Sequence, residues 1–368
     1  MKNEERELFT EKLDELFRKL IKSPMIHECT MYVENGNGDF VWSKGYGGRT
    51  IDSMMNLTSV SKLFTTTCVI KLLQQEKLTL DHKLSKFFDS KIIEGIHIYK
   101  GRDYSNEITV GNLLFQNSGL PDVYAMGRNN LNKRIVKEDF KISLYEYIEI
   151  AKANKKKFTP GTPGKAHYSD LNFELLGKII EQIEKTNLHE AFKKYVFKPL
   201  KLQNTYMIET ENDYSPNVYY KHKALYRPNL LSSLPASGGC VSTSKEVMIF
   251  LKAFFNGQLF DKSIFHQLSK FAMIQYCPPL GQYGGGFVRL NISGVASMFR
   301  CKGELIGHMG GFGTYAYYYP EKDLYFIGDV NQFAKQGEIF ILPLKLAKLA
   351  HKYIASYKGE YSNESMRS

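Results

Sequence analysis

The stretch Thr58-Ser59-Val60-Ser61-Lys62-Leu63-Phe64-Thr65 stands where strand-like sequence gives way to a long apolar segment that includes Leu63, Val69, Ile70, Leu72 and Leu73. Ser59 and Lys62 are three apart, so a helix beginning at the serine projects both side chains from one face, a hydroxyl beside an amine. A serine hydroxyl attacks a carbonyl only when a base takes its proton, and a lysine serves as that base when burial and neighbouring positive charge lower its pKa toward neutrality. The unpaired N–H groups at the start of such a helix suit a developing oxyanion. A second Ser-x-x-Lys occurs at Ser242-Thr243-Ser244-Lys245. There Thr243 and Glu246 read as a capping box opening an ordinary helix, which accounts for the residues without chemistry.

Upstream of the first copy, residues 28 to 34 and 39 to 46 read as two strands joined by Asn35-Gly36-Asn37-Gly38, a hairpin signal. They follow an amphipathic N-terminal helix with Phe9, Leu13, Leu16, Phe17 and Leu20 on one side. Downstream, Ile108 to Leu114 opens a helix and Asn117-Ser118-Gly119-Leu120-Pro121 reads as a turn. The middle of the chain is mostly helical in pattern, including 143 to 154, 171 to 185 and 188 to 196. Strand character returns at Gly284 to Leu290, Val295 to Cys301, Gly313 to Tyr319 and Leu324 to Val330, with Pro320-Glu321-Lys322-Asp323 as a hairpin turn. A final helix is expected from Ile339 to Tyr357, with Pro343 in or near its first turns, before a polar tail from Lys358 to Ser368 that is expected to fray. Strands at both ends and helices between imply an α+β fold in two lobes. An antiparallel sheet flanked by helices is assigned to residues 1–77 and 235–368, and a mostly helical subdomain to 78–234, with the site in the cleft between them.

Composition narrows the function classes. At 368 residues, 43% hydrophobic and 13% aromatic, the chain can bury a large core. The net charge of +11 raises nucleic acid or an anionic surface, but the one dense run, Lys152, Lys155, Lys156 and Lys157, has no interleaved aromatics and reads as a solvated loop or helix end. No nucleic-acid partner is therefore expected. The nine histidines include no His-Glu-x-x-His or comparable pair, so neither a metal nor any other cofactor is expected. Five scattered cysteines fit reduced thiols. With no signal-peptide pattern and no run of membrane-spanning length, a cytoplasmic protein is expected. Its oligomeric state is left open.

Two further stretches place polar groups where the chain otherwise packs. Phe158-Thr159-Pro160-Gly161-Thr162-Pro163-Gly164 leads through Lys165-Ala166-His167 to Tyr168-Ser169-Asp170, and Gly307-His308-Met309-Gly310-Gly311 approaches a strand. Taken singly, Tyr168 reads as a boundary tyrosine with a bonded hydroxyl, and His308 as a satisfied core or turn histidine. Taken in order, Ser59-Val60-Ser61-Lys62, Tyr168-Ser169-Asp170 and His308-Met309-Gly310 resemble the three motifs of the serine β-lactamase and penicillin-binding-protein superfamily, most like its class C-related branch. Asn117 to Pro121, Phe158 to Gly161 and Ser237-Gly238-Gly239-Cys240-Val241-Ser242-Thr243 are similar to secondary cues of that family. The resemblance spans about residues 25 to 335 and implies a β-lactamase/transpeptidase-like fold. It also implies an acyl-enzyme on Ser59, with Lys62 and Tyr168 sharing the proton traffic and Tyr168 as base for deacylation. The N–H groups of Ser59 and Gly311 become the oxyanion hole beside Gly310.

Two departures from the antibiotic-hydrolysing pattern shape the expectation. His308 stands where lysine is usual, which replaces a fixed charge with a group near half-titration; if it binds in its charged form, turnover falls as pH rises from about 6 to 8. Asp170 stands where asparagine is usual, so it either welcomes a donor from the substrate or pairs with Lys62 and raises its pKa, which would shift the base role to Tyr168. The resulting expectation is a serine hydrolase of small esters or amides with weak or no β-lactamase activity. The alternatives are a D-aminopeptidase or DD-carboxypeptidase, and a non-catalytic binding protein that keeps the fold.

Overall fold

The computed structural model describes residues 3–124, 131–275, 281–294 and 301–355. The N-terminal helix α1 (Asn3–Leu20) buries Phe9, Leu13, Phe17 and Leu20, the apolar stripe its sequence presents. The hairpin β1 (Cys29–Asn35) and β2 (Val41–Tyr46) follows, then a short strand β3 (Met54–Asn56). After β3 a single 3-10 turn, Thr58–Ser61, runs directly into α2 (Lys62–Gln74). Helix α2 is buried on nearly every side, from Lys62 to Leu72, as a helix without a polar face must be.

The middle of the chain contains α3 (Leu144–Ala153) and α4 (Asp170–Glu184). Strand β4 (Tyr206–Met207), β5 (Cys240–Thr243) and α5 (Ser244–Asn256) lead back to the sheet. The remaining strands are β6 (Ala272–Met273), β7 (Gly281–Tyr283), β8 (Val288–Asn291), β9 (Glu304–Met309), β10 (Thr314–Tyr319) and β11 (Leu324–Asp329), and α6 (Gln336–Tyr353) closes the described chain.

The main sheet has the order β6-β7-β8-β9-β10-β11-β1-β2, with every neighbouring pair antiparallel. The N-terminal hairpin is thus joined to the C-terminal strands through β1 and β11, with Thr30 opposite Asp329. Adjacent side chains on a strand face opposite ways. Accordingly, Tyr318 stacks on Phe255 of α5 while Tyr319 reaches His351 of α6, so the two helices cover opposite faces. Both central strands, β10 and β11, are buried throughout. A second, three-stranded sheet, β3-β5-β4, ties the nucleophile region to the chain on both sides.

Several expectations change. Gly284 to Gly286 form no strand: they make the turn between β7 and β8, where Gly284 N–H donates to Phe287 O at 2.9 Å. The helix at the nucleophile starts at Lys62 rather than Ser59. The last helix begins three residues before the expected Ile339 and holds Pro343 inside it. Lys156, read within a solvated run, is buried and donates to the carbonyls of Ala151, Lys152 and Asn154, which closes the C-terminal end of α3. Thr243 caps α5, but Glu246 does not complete a box; its carboxylate accepts from Gln203 N and Asn204 N at 2.8 and 2.9 Å. The strand expected at Val295 to Cys301 lies, apart from Cys301, outside the described residues, as do Cys277 and the tail Lys358 to Ser368. Among the described residues, no helix is long and apolar enough to cross a membrane.

Candidate active site

The turn that carries Ser59 is clamped from both sheets. Leu57 N–H donates to Cys240 O of β5 at 2.9 Å, and Thr314 Oγ1 of β10 donates to Asn56 O at 2.7 Å. Thr58 adopts a left-handed backbone, φ 42°, a conformation that costs a non-glycine residue on the order of 1 kcal/mol or more and persists where the surroundings fix it. Gly310 lies against this turn so closely that a Cβ there would meet Thr58 Oγ1 at 2.1 Å and Leu57 O at 2.4 Å. No residue but glycine lets the end of β9 approach the nucleophile this way.

Lys62 is 0% exposed. Its Nζ has three polar neighbours: Ser59 Oγ at 3.0 Å, Ser237 O at 2.7 Å and Asp170 Oδ1 at 2.5 Å. The rings of Tyr168 and Phe173 flank it, with centroids 5.1 and 5.6 Å away. Burial pushes its pKa down from the ordinary lysine value, with Asp170 chiefly and Glu174 and Asp122 to a lesser degree opposing. The neighbours suit both protonation states. As an ammonium Lys62 donates to Ser59 Oγ and Ser237 O and forms an ion pair with Asp170; as a neutral amine it keeps a donor for the carbonyl, which only accepts, and can turn its lone pair on the Ser59 hydroxyl.

Tyr168 is held through its backbone by Gln275, which accepts from Tyr168 N at 2.8 Å and donates to Tyr168 O at 3.0 Å. The turn at Asn117 to Pro121 anchors the same loop: Ser169 Oγ donates to Pro121 O at 2.8 Å and His167 N to Gln116 O at 2.7 Å. The Tyr168 phenol hydrogen-bonds Ser59, and its pKa lies well above the usual tyrosine value through burial and then the charge of Asp170. The phenol therefore keeps its proton at neutral pH. Sequence reasoning had Lys62 and Tyr168 share the proton traffic, with Tyr168 as base for deacylation; in the structure both groups stand beside Ser59.

His308 is 1% exposed, with Nδ1 2.9 Å from Met309 O and Nε2 3.3 Å from Tyr283 Oη. Burial, and then the Lys62 charge, push its pKa down to about 3. Enclosure therefore favours the neutral imidazole, against the charged form that the expected fall in turnover from pH 6 to 8 needs. Asp170 pairs with Lys62, and its charge raises the Lys62 pKa against the larger effect of burial, while the same carboxylate lines the cavity. Asp170 opens α4, where the helix dipole favours a carboxylate.

The structure thus brings Ser59, Lys62, Tyr168, Asp170, His308, Gly310 and Gly311 together. Ser59, Tyr168, Asp170, His308, Gly310 and Gly311 line one cavity of about 350 Å³. Its lining also includes the apolar Ile135, Leu230, Leu231, Phe312 and Phe333. Asp122 also lines it, and among the described lining residues there is no Lys or Arg. Sequence reasoning gave no role to Asp122, Ser237 or Glu174. The last was legible as a lone acid between apolar residues, Leu171-Asn172-Phe173-Glu174-Leu175-Leu176. Among the described residues, no three His, Cys, Asp or Glu side chains form a cluster able to hold a metal ion.

Comparisons with known proteins identify the family. A family model described as Beta-lactamase matches residues 17–346. Protein flp of Staphylococcus aureus (strain MW2) is 27% identical over 200 residues, 51% of this chain and 35% of that protein. The D-alanyl-D-alanine-carboxypeptidase/endopeptidase AmpH of Escherichia coli (strain K12) is 24% identical over 213 residues, 58% of this chain and 52% of that one. The matched stretches thus span between about a third and a half of these relatives' length. A crystal structure of a D-stereospecific amidohydrolase from Streptomyces sp. superposes with a TM-score of 0.70 at 24% identity, covering 85% of this chain and 93% of that one.

Proposed function

From the premise that the chain belongs to the beta-lactamase family of serine hydrolases, we propose that it hydrolyses small esters or amides through an acyl-enzyme on Ser59. The observation that carries the reading is the Lys62 Nζ, which is buried and has Ser59 Oγ, a carbonyl and a carboxylate as its polar neighbours. Ser59 Oγ attacks the substrate carbonyl carbon and gives its proton to the neutral Lys62 amine. The carbonyl oxygen takes the negative charge and rests on the N–H groups of Ser59 and Gly311. As the intermediate collapses, the bond to the leaving group breaks, and the proton passes from Lys62 through the Tyr168 hydroxyl to that group. A water then attacks the acyl carbon by the reverse route: its proton moves through Tyr168 and Lys62 back to Ser59 Oγ, and the carboxylic acid leaves.

The cavity supports an apolar acyl or leaving group, given its Leu, Ile and Phe wall. A substrate carboxylate finds neither Lys nor Arg among the described lining residues and meets a neutral His308. That argues for slow or no β-lactam turnover, and against a peptide that must dock its C-terminal carboxylate. A second reading is favoured by a specific feature: the carboxylates of Asp122 and Asp170 on the cavity wall suit a substrate ammonium, as in a D-aminopeptidase or amino-acid amidase. The D-stereospecific amidohydrolase likeness points the same way.

Incubation with a fluorophosphonate, read by intact mass, tests the common core: one adduct is expected on the wild type and none on Ser59→Ala. A panel of p-nitrophenyl esters, D-amino-acid amides and a chromogenic cephalosporin then ranks the substrate classes. Turnover of p-nitrophenyl esters without cleavage of D-amino-acid amides supports the first reading, and efficient cleavage of D-amino-acid amides supports the second. Efficient cephalosporin hydrolysis contradicts both.

A further inference from the structure

A second cavity, of about 420 Å³, is lined by residues that flank those of the substrate cavity in sequence. Phe88, Ile142, Tyr147, Leu188, Ala236 and Glu174 are among its lining residues. The segment 234–237 divides it from the substrate cavity: Leu234 and Ser237 line the first, Pro235 and Ala236 the second. The partition is one chain thick.

Glu174 is the acid at this wall, and it is 7% exposed. It sits four residues after Asp170 on α4, so the two carboxylates share a helix face one turn apart. Asp170 meets Lys62 directly. Glu174 meets it through Ser237, accepting from Ser237 N–H at 3.0 Å while Ser237 O accepts from Lys62 Nζ at 2.7 Å. The titratable groups that face it are Lys62 on α2, Asp170 on its own helix, Tyr124 and Tyr147 in the middle of the chain, and Cys240 on β5. Asp122 acts on the same lysine from the substrate side.

We propose that Glu174 is a positioning residue of the active site: it fixes the Ser237 carbonyl on the Lys62 amine and, gaining or losing its proton through the second cavity, sets how readily Lys62 accepts the proton of Ser59. The inference rests on the serine-hydrolase reading above. Burial raises the Glu174 carboxyl to about 7, in the range where such a group exchanges protons at working pH. When ionised it favours the Lys62 ammonium and slows the base; when protonated it releases it.

The test is the rate of fluorophosphonate labelling of Ser59 against pH in the wild type, Glu174→Gln and Glu174→Ala. Glutamine keeps an acceptor for Ser237 N–H and removes the charge, so the acid limb moves to lower pH by about one unit. Alanine removes the acceptor as well, and its plateau falls about tenfold below that of glutamine. Thermal unfolding of the same proteins between pH 5 and 7.5 gives a readout that needs no activity. A carboxyl whose folded pKa, about 7, exceeds its unfolded value of about 4.5 contributes stability at low pH that is lost as pH rises through that window. The wild type therefore loses stability relative to Glu174→Gln as pH rises. A glutamine profile superimposed on the wild type, or a stability difference independent of pH, overturns this inference alone. A wild type that never takes the probe defeats the hydrolase reading, and this inference with it.

Discussion

The chain carries Ser-x-x-Lys twice, and the two copies differ in everything but sequence. At Ser59 and Lys62 a 3-10 turn runs unbroken into a helix, so hydroxyl and amine face each other at 3.0 Å and the amine is sealed from water. At Ser242 and Lys245 the boundary between β5 and α5 falls inside the motif, with Thr243 as the cap. Ser242 is buried against Thr205 Oγ1 at 2.7 Å, while Lys245 points outward to Asp52 at 3.6 Å with its side chain 59% exposed. The difference teaches that this chemistry belongs to burial and to where the helix starts. A lysine in water keeps its proton at neutral pH; one enclosed among aromatic rings, a carbonyl and a carboxylate can exchange it.

The strongest contrast should come from removing each hydroxyl. Ser59→Ala is expected to abolish adduct formation and lower kcat/KM by at least about 10⁴-fold. Ser242→Ala should leave kcat/KM within about twofold and cost about 1 kcal/mol of stability through the lost hydroxyl pair with Thr205, read by denaturant unfolding. The lysines come next. Lys62→Met is expected to slow acylation about 10²- to 10⁴-fold, the range for a general base. Lys245→Met should change stability by less than about 0.5 kcal/mol, as a surface substitution does.

A third comparison sharpens the role of the enclosing charges. Asp170→Asn removes the carboxylate that favours the Lys62 ammonium, so the amine should become available at lower pH and the acid limb of kcat/KM should move down. A limb that moves up would refute the assignment of base to Lys62. The smallest effect concerns the cap that splits the second copy: Thr243→Ala should cost about 1 kcal/mol of stability and leave the pH profile unchanged.

Much of this was legible in the sequence, for identifiable reasons. The β1 and β2 hairpin announces itself in Asn35-Gly36-Asn37-Gly38, and the stripe of α1 in Phe9, Leu13 and Phe17. Motif order was enough to bring Ser59, Lys62 and Tyr168 to one place. What escaped depends on the tertiary environment. Gly284 to Gly286 read as strand because Phe287, Val288 and Leu290 beside them are strand formers, yet three glycines carry no side chain to hold a ladder position. Strand β4 has two residues, too few to show alternation. The downward push on the His308 pKa comes from enclosure and from Lys62, which is distant in sequence. Glu174 was visible as an acid among leucines, but its attachment to Ser237 was not.

The central claim is that enclosure makes one serine of two identical patterns reactive. Peptide mapping of fluorophosphonate-treated protein tests it most directly, run on the wild type and on Lys62→Met at several pH values. The account predicts a single modified residue, Ser59, labelled faster as pH rises through the acid limb and slowed at least about 10²-fold by the methionine. Label at Ser242, or label at Ser59 that forms equally fast without the Lys62 amine, would contradict it.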